Sequence, residues 1–132
     1  MKFLLSKKIN RIQKILEREQ TEVFLIGNFG HQIHDDILYY LLLQKLELGL
    51  MIIPATGKPT LYGISFEVPD LQKTYPELVV KPFQGTAASL LQKIIKKNQS
   101  IALRPSALPF GIWKQLKKVQ YLVTAQKIIG VL

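Results

Sequence analysis

The chain has 132 residues, 48% of them apolar, which is the length of one domain and enough hydrophobic material to fold. It has no cysteine, excluding disulfides and thiolate metal sites and fitting a reducing compartment. Eighteen Lys and Arg against nine Asp and Glu give a net charge of +9, which admits nucleic acid, an anionic membrane surface or an acidic partner until the charges are placed. Lys2 is followed only by Phe3-Leu4-Leu5, far short of a signal peptide's apolar region. No window approaches the ~20 apolar residues that span a bilayer, so a cytoplasmic protein without membrane contact is expected.

Leu5, Ile9, Ile12 and Leu16 recur at helical spacing and predict an amphipathic helix, with Ser6 as its N-cap or first-turn residue. Lys7, Arg11, Lys14 and Arg18 fall on roughly the opposite side and read as a solvated face. Glu22-Val23-Phe24-Leu25-Ile26 predicts a buried strand closed by a turn at Gly27-Asn28-Phe29-Gly30. That turn lacks the G-x-G-x-x-G spacing and the Lys-Ser/Thr of a phosphate-binding loop, so it does not point to a nucleotide.

His31, His34, Asp35 and Asp36 form the one cluster of potential metal ligands. No second His/Asp/Glu cluster stands ready to complete a coordination sphere, and a capped turn is the simpler account. Ile37 to Leu43 is apolar all round, and the acidic residues ahead with Gln44-Lys45 behind favour a short helix. Tyr39, Tyr40 and Tyr62 read as core tyrosines with the hydroxyl at the edge rather than as base-stacking platforms.

Leu48 to Ile53 is a short apolar run stopped by Pro54, and Ala55-Thr56-Gly57-Lys58 is a turn. Pro59 then opens a second run from Thr60 to Ile64, so a hairpin is expected at the centre of a sheet. Phe66 to Asp70 leads into a weak helix ending near Tyr75, and Leu78 to Phe83 reads as a strand. A helix over Thr86–Asn98 carries Lys93, Lys96 and Lys97 outward, and Ser100–Leu103 follows as a strand. Ser106 caps a further helix with Ile112, Trp113 and Leu116 inward and Lys114, Lys117 and Lys118 outward, before a last strand from Val119 to Val123. Basic residues thus recur on three separate helices instead of one track, which makes nucleic acid an unlikely partner.

Several segments resemble the creatinase/prolidase N-terminal domain, the module that precedes the catalytic domain in Xaa-Pro dipeptidases, Xaa-Pro aminopeptidases and creatinases. Arg11-Ile12 with Leu16 is similar to its opening R-I-x-x-L, Glu22 to Ile26 to its D-A-L-L-V, and Ile37 to Leu41 to its N-I-x-Y-L-T-G-F. Leu50 to Leu61 resembles L-L-I-P-x-x-G-x-P-T-L, and Ser106 to Phe110 with Leu116 resembles S-L-P-Y-x-x-x-x-L. Asp36 and Leu42 replace the family's asparagine and glycine, and Thr124 to Ile129 lacks its R-x-x-K.

The resemblance implies an α/β three-layer sandwich, ribonuclease-H-like, with a mixed central sheet containing one hairpin and helices on both faces. Residues 1–132 would form this single domain, and the pita-bread catalytic domain would lie outside the chain. It further implies a non-catalytic role, shaping substrate access and supporting a homodimer of a proline-directed metallopeptidase. Two divalent metal ions would belong to the C-terminal catalytic domain, held there by two Asp, one His and two Glu. No catalytic, metal or cofactor residue is assigned in this chain. The family's cleft-facing loop maps onto Gln44 to Leu48, with Gln44, Lys45 and Glu47 its polar members. Two alternatives compete with this reading. One is a stand-alone basic module for RNA or another polyanion; the other is an enzyme built on His31, His34 and Asp35.

Overall fold

Helix α1 (Lys2–Arg18) sets one layer, burying Leu5, Ile9, Ile12, Ile15 and Leu16 and exposing Lys7, Arg11, Lys14 and Arg18. The computed structural model describes residues 2–29, 36–44, 46, 48–85, 89–90, 93, 101–102 and 121–122. The helix begins at Lys2, so Ser6 lies within it and is not its cap. Nothing between Lys2 and Leu5 breaks a helix, and the extra turn carries Leu5 into the core. At the other end Gln20 takes a left-handed conformation (φ 55°). The Thr21 amide then donates to Leu16 O (2.8 Å) and the Gln20 amide to Glu17 O (3.1 Å), the two bonds of a Schellman cap.

Among the described residues six strands form one mixed sheet in the order β4-β3-β2-β1-β5-β6. They are β1 (Val23–Phe29), β2 (Leu48–Pro54), β3 (Thr60–Gly63), β4 (Val79–Pro82), β5 (Ile101–Ala102) and β6 (Tyr121–Leu122). The expected hairpin is β2 and β3, antiparallel with Leu50 opposite Tyr62 and Ile52 opposite Thr60. It sits inside the sheet, flanked by β1 and β4, because both its strands are apolar on both faces. Gly57 (φ 99°) turns the connecting loop, and the Gln13 amide clamps that loop to α1 by donating to Pro54 O (2.9 Å) and Gly57 O (2.8 Å).

β1 runs three residues further than the sequence suggests. Gly27, Asn28 and Phe29 stay in the strand, opposite Leu50, Gly49 and Leu48, so the turn expected there is corrected. Seven residues of β2 offer a continuous antiparallel ladder, and pairing the backbone groups along it outweighs the local turn preference of Gly-Asn. Phe24, Ile26, Met51, Ile53 and Leu61 face α1 and its neighbours in the main core. Leu25, Leu50 and Ile101 alternate onto the opposite face and are at most 2% exposed, so both faces of the sheet are covered.

A 3₁₀ turn (Ser65–Glu67) leads into α3 (Val68–Thr74), which has Pro69 in its opening turn and buries Leu71. β3 and β4 are parallel, as are β1 and β5, and β5 and β6. The architecture is therefore α/β with a mixed sheet and a single central hairpin, as read from the sequence. Most of the expected helix at Thr86–Asn98, and the whole of the segment around Ser106 to Lys118, lie outside the described residues.

Candidate functional site

The site worth building is the end of the short helix α2 (Asp36–Leu42), where three elements meet. Seven residues are too few for a stable isolated helix, and its last turn presents carbonyls with no partner inside the helix. Three of them are met from three different places along the chain. Leu43, in the left-handed region (φ 54°), donates its amide to Tyr39 O at 2.7 Å. Lys8 reaches across from α1 and donates its ammonium to Tyr40 O. Tyr75, just after α3, donates its hydroxyl to Leu42 O at 2.7 Å, with Gln44 Oε1 a longer alternative acceptor at 3.0 Å.

Lys8 is the unusual member, only 3% exposed on a helix where Lys7, Arg11, Lys14 and Arg18 face solvent. Its Nζ lies 3.8 Å from the centroid of the Tyr40 ring, so the charge is held by an aromatic face and by the negative end of α2. Burial nevertheless lowers its pKa from the usual lysine value. Burial raises the pKa of the Tyr75 phenol, and the nearby Glu77 carboxylate raises it further. Glu77 Oε1 is buried and has no hydrogen-bond partner among the described residues.

A cleft of about 220 Å³ opens beside this junction, walled by Leu5, Leu41 and Leu42 and edged by Lys8, Tyr75 and Glu77. Leu4 and Leu43 stand at its mouth, 45% and 44% exposed. Such a lining can seat an apolar group. Among the described residues, no hydrogen bond at this cleft joins two side chains in the nucleophile–base pairing of acyl transfer.

Gln44 is exposed and lines this cleft, while Lys45 and Glu47 lie outside the described residues. His31, His34 and Asp35 also lie outside them. Among the described residues no three His, Cys, Asp or Glu side chains converge as a metal site would require, and no helix is long and apolar enough to cross a membrane. Sequence reasoning missed Lys8, Tyr75 and Glu77. A signal existed for Lys8, which shares the register of Leu5, Ile12 and Ile15 on the buried side of α1. Tyr75 gave none, because its hydroxyl's partners, Leu42 and Gln44, lie more than thirty positions away.

The chain has the fold expected of a creatinase/prolidase N-terminal domain. It superposes on that domain of an X-Pro dipeptidase from Streptococcus pyogenes with a TM-score of 0.66 and 12% identity, covering 88% of this chain and 99% of the other. Dipeptidase PepE from Mycobacterium ulcerans matches 99% of this chain over 37% of its own length, with a TM-score of 0.69 and 16% identity. The prolidase from Pyrococcus horikoshii matches 93% of this chain over 33% of its own length, with a TM-score of 0.64 and 18% identity. No family model matches the sequence, and no curated protein matches it significantly. The likeness therefore rests on architecture, at identities where the fold persists and the surface residues do not.

Proposed function

We propose that this chain serves as the non-catalytic N-terminal domain of an Xaa-Pro dipeptidase or aminopeptidase. The observation carrying this is the coverage: nearly the whole chain matches a complete N-terminal domain in one neighbour and about a third of the length of two whole peptidases. In this role its partner is a C-terminal pita-bread domain that holds two divalent metal ions, and the assembled peptidase is a cytoplasmic homodimer. Gln44, at the edge of the cleft, belongs to the loop that would shape substrate access, together with Lys45 and Glu47.

The test is hydrolysis of Xaa-Pro dipeptides with manganese, cobalt or zinc added, by residues 1–132 alone and by the same residues joined to a pita-bread domain. Activity is expected only from the joined protein. Turnover by 1–132 alone, abolished in a His31→Ala, His34→Ala variant, would overturn the proposal in favour of an enzyme built on that turn.

A second reading has its own observation. Among the described residues Lys7, Arg11 and Lys14 make no ion pair, and they stand in one exposed row with Arg18, whose contact to Glu19 is a long 3.8 Å. The row fits RNA or another polyanion. A log–log salt titration distinguishes the two: a steep slope with tight binding at ~200 mM salt supports this reading, and weak binding that vanishes there supports the accessory domain.

A further inference from the structure

We infer that the Gln72 carboxamide acts as a surrogate strand, closing the outer edge of β4 against strand addition by a second copy of this chain. Among the described residues β4 ends the sheet on one side, and a sheet edge with free amides and carbonyls is a template for pairing. The inward bonds of β4 go to β3: the Val79 amide donates to Pro59 O at 2.9 Å, and the Phe83 amide donates to Gly63 O at 2.7 Å. By the alternation of a parallel strand, Leu78, Val80 and Pro82 direct their backbone groups the other way, toward the open side.

Each donor on that side is accounted for. The Val80 amide donates to Gln72 Oε1 at 3.0 Å, and the Gln72 NH₂ donates to Leu78 O at 2.8 Å. These are the two bonds that one residue of a neighbouring parallel strand would make through its own N–H and C=O, supplied here by one side-chain amide. The Leu78 amide donates to Tyr75 O at 3.0 Å, and Pro82 has no amide hydrogen. No outward donor is left from Leu78 to Pro82, and the exposed Lys81 adds charge beside that edge. The geometry follows from chain order: α3 runs directly into β4 through a tight turn, which lays Gln72 alongside the strand it guards. Polar satisfaction alone would have been met by water at this part-exposed edge, so the paired donor and acceptor point to exclusion of a strand.

Gln72→Met tests this, since it keeps the length of the stem and helix propensity while removing both bonds; Gln72→Ala serves as a second variant. Gln72→Glu retains the acceptor for Val80 and adds charge. Hydrogen exchange of the Val80 amide reads the edge directly, and light scattering across a concentration series reads association. The expected result is Val80 exchange faster by roughly fivefold or more in Met and Ala, the loss of about one hydrogen bond. Both variants should also associate at least one step beyond the wild-type chain, while Gln72→Glu should not. Faster Val80 exchange without added association in either variant would overturn the inference. Failure of both to fold would also overturn it, assigning the amide to the stability of the α3–β4 unit instead.

Discussion

Replacing Tyr75 by Phe removes one oxygen and tests how α2 is held. The lost hydroxyl donates to Leu42 O at 2.7 Å, between two residues that are 6% and 4% exposed. A neutral hydrogen bond contributes about 0.5–1.5 kcal/mol net, and an orphaned buried carbonyl raises the cost to ~3 kcal/mol. The cleft of about 220 Å³ beside Leu42 decides between these values, since it has room for a water that can reach the carbonyl. The expected loss is therefore about 1–1.5 kcal/mol. At an unfolding entropy typical of a chain this long, that lowers Tm by roughly 4–5 °C. Urea denaturation with an unchanged m-value is the measurement. A loss above ~3 kcal/mol would mean that water does not enter, and no loss would mean that the bond is dispensable; either result refutes the reasoning.

Other consequences follow from the same junction and from the sheet. Lys8 has a lowered pKa, so the unfolded chain binds the extra proton below the ordinary lysine value of 10.5, and stability should rise with pH as that limit is approached. Tyr75 and Tyr62 have raised pKa values, so their contribution is complete below 10.0 and is lost as pH climbs above it. Denaturation midpoints across the alkaline range should show the rising limb vanish in Lys8→Met and the falling limb shrink in Tyr75→Phe. Lys8→Met should stay within ~1 kcal/mol of wild type because the stem packing survives and an ion no longer needs burying, whereas Lys8→Ala should cost about 2–4 kcal/mol by opening a cavity; calorimetry separates them. Gly63→Ala places a Cβ 2.9 Å from Leu71 Cδ1, inside the core, and should destabilise by about 1–2 kcal/mol in the same assay.

What was legible in the sequence was whatever rests on local chemistry. The Leu48–Ile64 hairpin followed from an apolar run, a proline and a glycine turn, and the structure places it where expected. The buried and exposed faces of α1 followed from spacing, down to the four exposed cations. The errors share a cause. Gly27-Asn28 looked like a turn because that dipeptide favours one, but a seven-residue partner strand holds it extended. Lys8 was read past because a cation at the border of an apolar face is ordinarily solvated, and only the Tyr40 ring and carbonyl, 32 residues away, make its burial affordable. The edge role of Gln72 needs the sheet order, which no local pattern states.

The loop after α2 is anchored at both ends, and this bears on its proposed role at a substrate entrance. Its front is fixed by the capped carbonyls of Tyr39, Tyr40 and Leu42; its back enters β2, paired to β1 from Leu48 onward. Between them Leu46 is 3% exposed and lies over Gly49, where a built Cβ would come 3.1 Å from Leu46 Cδ1. The glycine thus makes room for the leucine that pins the loop. Leu46→Ala should cost about 2–4 kcal/mol, as for other buried leucines that leave a cavity. The informative readout is local: trypsin cleavage after Lys45 should accelerate well beyond cleavage after Arg18, an exposed control site at the end of α1. Equal acceleration at both sites would show that Leu46 supports the whole domain, removing the case that it anchors the connection between α2 and β2.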